Sequence, residues 1–252
     1  MDTDLSIMNL PPHVEQVLKC LYISIKDQKS KGKIKELLCK AKTVVRFNQI
    51  LNVCRLNNDI QCVFNVFEQM KSKNLEPDVV TYSTLITSCA NEKNLTKALQ
   101  IFQQMKSKNL EPNVVTYSTL ITCCANQKNL TKALQIFEQM KSKKLEPDVV
   151  TYNTLITCCI RTRNSKTGRT VLNELIKKRI KMDEYTFSAI FKLISLENKP
   201  NPKLEADKWY SKMEQMGIER NMYIEEAYLK AITPRVNRTT SEHTRKRRNQ
   251  RR

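Results

Sequence analysis

The chain has 252 residues, and its 44 Lys and Arg against 25 Asp and Glu give a formal charge of +19. Such a charge favours polyanionic partners, nucleic acid first among them. Only three Gly are present, which argues against a sheet with many tight turns and against a Gly-rich phosphate loop, and no apolar run approaches the ~18 residues that span a membrane.

Residues 1–43 read as a degenerate capping repeat. Val14, Val17, Leu18 and Leu21 share one helical face, and Ile34, Leu37, Leu38 and Ala41 share another. The opening MDTDLSIMNLPP holds two Asp and no Arg, so it does not read as a transit peptide. Nine Cys occur without a C-x-x-C pair. Their odd number and the lack of a signal peptide fit a reduced intracellular compartment.

From Val44 the chain repeats with a period of about 35 residues, which signals a solenoid. The units run 44–78, 79–113, 114–148 and 149–183, and a longer one covers 184–221. The second and third differ only at Ser88/Cys123, Glu92/Gln127, Gln103/Glu138, Asn109/Lys144 and Asn113/Asp148. Each unit predicts two helices. In the second unit, Tyr82, Leu85, Ile86, Cys89 and Ala90 mark the core face of the first helix, which follows Pro77 with Asp78 as its cap. Leu95, Ala98, Leu99, Phe102 and Met105 mark the second, with Asn94 as its cap and Lys106 and Lys108 at its C-terminal end. Neither helix pair can bury its apolar faces alone, so stacking must supply the core. In the fifth unit the KPNPK stretch Lys199–Lys203 predicts a longer loop. Residues 222–233 predict a C-terminal capping helix stopped at Pro234. The rest, 234–252, is basic and nearly devoid of apolar residues, which predicts disorder. It suits a phosphate-binding arm, a nuclear localisation patch or a solubilising end equally.

The segments EPDVVTYSTLITSCA (Glu76–Ala90), EPNVVTYSTLITCCA (Glu111–Ala125) and EPDVVTYNTLITCCI (Glu146–Ile160), each completed by a second helix, resemble the pentatricopeptide repeat family. The resemblance covers roughly residues 44–221 and lacks any added catalytic domain. It implies an all-α, right-handed superhelical solenoid of about five helix-turn-helix repeats. It also implies binding of single-stranded RNA at about one base per repeat. The fifth and last residues of each unit would read the base: Asn48 with Asp78, Ser83 with Asn113, Ser118 with Asp148, Asn153 with Asp183, and Ser188 with Asn221. The second residues, Val45, Val80, Val115, Val150 and Tyr185, would sandwich it. The family's pairings then spell U-A-G-U, with A as the fifth base. These short polar groups offer the donors and acceptors that a Watson–Crick edge needs.

The same last residues also suit ordinary N-caps. Adjacent Cys123–Cys124 and Cys158–Cys159 suit buried thiols better than metal ligands. His13 and His243 stand at opposite ends of the sequence, and no H-x-E with a C-x-x-C follows, so a zinc deaminase is not expected. The expectation is a protein without enzymatic activity, cofactor, metal or small-molecule substrate. It would act in RNA metabolism by occupying RNA or recruiting a protein partner. The alternative is a protein-binding helical scaffold. The family implies mitochondria or plastids, while the N-terminus and basic tail suit the cytosol or nucleus.

Overall fold

A computed structural model describes residues 41–197 and 200–233. The described residues form eleven α-helices and no strand. They are α1 (Val44–Leu56), α2 (Ile60–Ser72), α3 (Val79–Asn91), α4 (Leu95–Ser107), α5 (Val114–Asn126), α6 (Leu130–Ser142), α7 (Val149–Arg161), α8 (Ser165–Lys177), α9 (Glu184–Leu196), α10 (Pro202–Gln215) and α11 (Met222–Ile232). The fold is an all-α helical-repeat solenoid. Its described residues divide into two compact units, the first ending at Cys158 and the second beginning at Cys159. The capping repeat expected over 1–43 lies outside the described residues except for 41–43, and so does the tail 234–252.

The sharp reversals between helices are built without glycine except after α10, where Gly217 takes a φ of 69°. After α3, Lys93 takes a φ of 56°. Its N–H donates to Ala90 O at 3.0 Å, and that of Asn94 donates to Cys89 O at 2.8 Å. This is a Schellman closure, which satisfies carbonyls that the helix end would otherwise orphan. Asn94 then caps α4 by accepting from Lys97 N–H at 3.0 Å, so one residue ends one helix and starts the next. Asn109 (φ 56°) closes α4 in the same way, with Leu110 N–H reaching Met105 O at 3.2 Å. Two consecutive helices are thereby held in an antiparallel hairpin.

In the first unit the hydrophobic phase read from sequence is the core. Tyr82, Leu85, Ile86, Cys89 and Ala90 are buried on α3, as are Leu95, Ala98, Phe102 and Met105 on α4. Leu99 is only half-buried, and Ile101 takes the inner place instead. Each pair is sealed to the next by an edge-to-face aromatic contact: Phe67 on Tyr82 at 5.9 Å, Phe102 on Tyr117 at 5.5 Å and Phe137 on Tyr152 at 5.5 Å. Such contacts contribute about 0.5–1.5 kcal/mol beyond the area they bury. Cys54 on α1 and Cys62 on α2 are paired, with their Cα atoms 5.8 Å apart. Cys89, Cys123, Cys124, Cys158 and Cys159 are buried thiols. Burial pushes Cys89 and Cys123 up to about 11 and Cys124 to about 12, which keeps them protonated and inert.

The second unit uses different chemistry. The Arg169 guanidinium on α8 meets Glu197 (Nε to Oε1, 2.7 Å) and Glu205 on α10 (Nη1 to Oε1, 2.7 Å). Phe191, Tyr210 and Tyr228 cluster at 4.8–6.2 Å between ring centres. The connection from α9 to α10 covers 197–201, against 92–94 between α3 and α4, and α10 begins at Pro202, inside the KPNPK stretch. Pro is pre-set for a first helical position, where no N–H is needed, and Asn201 caps the helix from Leu204 N–H at 3.3 Å.

Candidate nucleic-acid interface

Thr43 caps α1, whereas the first helix of each later repeat, and α11 after them, starts from an Asp or Asn. Asp78, Asn113, Asp148, Asp183 and Asn221 each accept from the N–H three residues on, at 2.8–3.0 Å. The last residues of the expected reading pairs are therefore N-caps as well. The cap fixes the phase of the helix, and that phase decides which way the second and fifth residues point.

The second residue of each helix is turned to solvent. Val45, Val80, Val115 and Val150 are 57–64% exposed, and Tyr185 is 69% exposed. Isolated exposed apolar residues are normal, but here the same register carries one in every repeat. Tyr223 occupies that register on α11 and is also 69% exposed. The sequence reading missed it by treating α11 as a cap; its place two residues after the N-cap Asn221 was the available signal.

The fifth residues lie one turn further along. Asn48, Ser83 and Ser118 are half-buried, whereas Asn153 and Ser188 are buried. In the first unit, three expected pairs are brought together. Asn48 Nδ2 donates to Asp78 Oδ1 at 3.0 Å and lies 3.2 Å from Oδ2. Ser83 reaches Asn113 through one intermediary: Ser83 Oγ meets Thr116 Oγ1 at 2.8 Å, and Thr116 Oγ1 donates to Asn113 Oδ1 at 3.0 Å. Ser118 reaches Asp148 through Thr151 in the same way, at 2.6 Å for both steps. The intermediary threonines are fully buried, and the sequence reading passed over them as helix-start residues.

In the second unit, Asp183 accepts from Thr186 Oγ1 at 2.7 Å. Ser188 and Asn221 are not joined. Ile224 stands where the other repeats have threonine, so there is no hydroxyl to bridge, and Asn221 Nδ2 turns to Glu184 Oε2 at 3.0 Å.

Burial alone would raise the Asp78 carboxyl. Hydrogen bonds from Thr81 N–H, the Asn48 amide, the Thr81 hydroxyl and Val80 N–H outweigh that and hold it below the ordinary 3.8. It stays an acceptor at neutral pH. Among the described residues no cluster of three His, Cys, Asp or Glu could hold a metal ion. No helix among them is long and apolar enough to cross a membrane.

Known structures share this architecture. The maize pentatricopeptide repeat protein PPR10, solved in complex with an 18-nt psaJ RNA element, superposes with a TM-score of 0.68 at 21% identity, over 90% of this chain and 34% of that one. The PPR domain of Arabidopsis thaliana protein-only RNase P 1, solved with tRNA, gives 0.59 at 16% identity over 71% and 92%. Nuclear proteinaceous RNase P 2 of A. thaliana gives 0.61 at 15% identity over 76% and 42%. The chain spans about a third of the length of PPR10. No curated protein sequence matches it. A family model described as pentatricopeptide repeat domain matches residues 41–86, 65–124 and 105–159, and one described as PPR repeat family matches 147–194. With those matches over most of the described helices, the chain belongs to the pentatricopeptide repeat family.

Proposed function

We propose that this protein binds single-stranded RNA in a sequence-specific manner and acts in RNA metabolism by occupancy or recruitment rather than catalysis. One observation carries the reading: an exposed apolar residue stands at one fixed register in each repeat, beside a pair of short polar side chains. The apolar row, Val45 to Tyr185 and onward to Tyr223, offers the flat surface that replaces base stacking. The polar pairs offer hydrogen-bonding groups to the edge of an unstacked base. The RNA seated on PPR10 and on the RNase P repeat domain supports the same use of this fold. The formal charge of +19 supplies salt-sensitive affinity for phosphates. The target is U-A-G-U, with a weakly read base after it, because Ser188 and Asn221 are not joined.

Selection from randomised RNA with purified protein tests this. Enrichment of U-A-G-U is expected. The Asn113→Asp variant should move the second base from A towards G. RNA binding without sequence preference, together with a protein partner recovered after nuclease treatment, would favour a protein-binding scaffold instead.

A further inference from the structure

We propose that the buried threonine at the third position of the third and fourth repeats sets the donor–acceptor polarity of the preceding serine-containing reading pair, and so determines which base that pair accepts. The inference rests on the RNA-reading proposal above. It concerns Thr116 and Thr151, neither of which would touch RNA.

A threonine hydroxyl has one proton. Thr151 Oγ1 lies 2.6 Å from Asp148 Oδ1, and a carboxylate oxygen only accepts, so the proton goes there. Thr151 can then only accept from Ser118, 2.6 Å away on its other side. Ser118 must donate its own proton inwards, which leaves its lone pairs for a ligand. Asp148 Oδ2 also accepts. Two adjacent acceptors match guanine, whose edge presents N1–H and N2–H₂.

The Ser83 pair differs at one atom. Thr116 N–H and Oγ1 both donate to Asn113 Oδ1, each at 3.0 Å. This orients the amide with its oxygen inwards and Nδ2 outwards. Ser83, 2.8 Å from Thr116 Oγ1, again donates inwards and offers lone pairs. An acceptor on the fifth residue and a donor on the last match adenine N6–H and N1.

The Asn48 pair reverses that order. Here Asp78 turns the amide, since its carboxylate oxygens lie 3.0 and 3.2 Å from Asn48 Nδ2, and the single Thr81 proton is shared between Asn48 Oδ1 at 2.6 Å and Asp78 Oδ1 at 2.9 Å. Asn48 then presents a donor and Asp78 an acceptor, the complement of uracil's carbonyl and N3–H. Three pairs thus carry three different patterns, and in the two serine pairs a buried threonine hydroxyl sets the orientation. It explains why Ser with Asp differs from Asn with Asp: a serine free to turn its proton outwards would present the same pattern as asparagine.

That gives a specific test. In Thr151→Val the Ser118 hydroxyl is released and can donate, so the third site should admit U. Discrimination of G over U, read by fluorescence anisotropy on RNAs differing only at the third base, should fall about tenfold. Thr151→Ser keeps the hydroxyl and should keep the discrimination. Thr116→Val repeats the test in a separate repeat: a freed Ser83 donor beside the Asn113 donor should admit C at the second base at the expense of A. Thermal melting accompanies each variant. If the valine variants melt as the parent does and retain its base preferences, the threonines do not set polarity, while the reading pairs themselves stand. If the parent does not distinguish the four bases, the reading pairs fail and the relay fails with them.

Discussion

The two compact units solve the same packing problem in different ways. In the first, successive repeats are joined by a Phe–Tyr edge contact and a bond through one buried hydroxyl, repeated with almost no change. In the second, the same framework has been altered at four registers. Arg169 stands where α4 and α6 have Leu99 and Leu134, and Gly168 where they have Ala98 and Ala133. Ile224 replaces the bridging threonine, and Tyr185 and Tyr223 replace the exposed valine. From α3 to α6 the first unit keeps one polar face and varies at few positions, Asn113 against Asp148 among them. The second trades one of those pairs for larger stacking surfaces and a charged brace. On the RNA-binding proposal, the first unit would read base edges and the last repeat of the second would grip.

The largest expected effect comes from removing the brace. Arg169→Met leaves Glu197 and Glu205, 12% and 25% exposed at the side chain, without their shared guanidinium. Removing one partner of a buried ion pair is strongly destabilising because the other charge remains. Partial exposure reduces the cost here to about 2–3 kcal/mol, read from urea unfolding of the full chain. The equivalent truncation in the first unit, Leu99→Ala, removes a half-buried side chain and should cost about 1 kcal/mol. Equal costs would mean that the brace contributes little beyond packing.

Next comes the stacking row. Tyr223→Ala should weaken binding of an RNA of five or more bases by about 1–3 kcal/mol, and should leave a four-base U-A-G-U ligand unaffected. Val80→Ala should cost less, since valine offers a smaller face. If Tyr223→Ala is silent on both ligands, α11 is only a cap and the row ends at Tyr185.

A smaller effect separates Gly168 from its repeat counterparts. Restoring alanine there adds helix propensity worth up to about 1 kcal/mol. The added Cβ, however, would stand 2.6 Å from Leu193 Cδ2 and 3.3 Å from Cys159 Cβ. Leu193 is fully buried and has little room to yield, so Gly168→Ala should be net destabilising by about 1 kcal/mol. A rise in melting temperature would show that Leu193 can re-seat.

Much of this contrast was legible in the sequence, but unevenly. The helical phase could be read because Tyr82, Leu85, Ile86 and Cys89 recur at helical spacing and the solenoid buries that one face. The starts of the first helices could be read because Pro followed by Asp or Asn leaves few alternatives. Leu99 was misplaced because two adjacent apolar residues, Ala98 and Leu99, both fit the phase, and only the neighbouring pair decides which turns inwards. The bridging threonines were hidden for another reason. Thr81 and its counterparts look like ordinary helix-start residues, and their second partner comes from the preceding repeat, over 30 residues away in sequence. The Arg169 brace was equally invisible: Glu197 and Glu205 lie on either side of an irregular connection whose path periodicity does not give.

The smallest expected effect distinguishes the units by pH. The Asp78 carboxyl is held below its ordinary 3.8 by the hydrogen bonds it accepts. A depressed carboxyl binds fewer protons folded than unfolded, so its stabilisation is fully present above that ordinary value and is lost as pH falls through the lower folded one. Asp78→Asn keeps the cap oxygen and removes the titration. The gap in melting temperature between parent and variant should therefore narrow as the pH is lowered from about 5 to about 2. The second unit should show the opposite dependence. Tyr210, half-buried and bonded to Glu225, and Tyr228, bonded to Asp207 and half-buried, are both pushed up to about 12 from an ordinary 10. A raised phenol binds its proton more tightly when folded, so its contribution is intact below pH 10 and is lost as pH rises through about 12. Tyr210→Phe and Tyr228→Phe should flatten that alkaline loss and leave the acid limb unchanged, whereas Asp78→Asn should do the reverse.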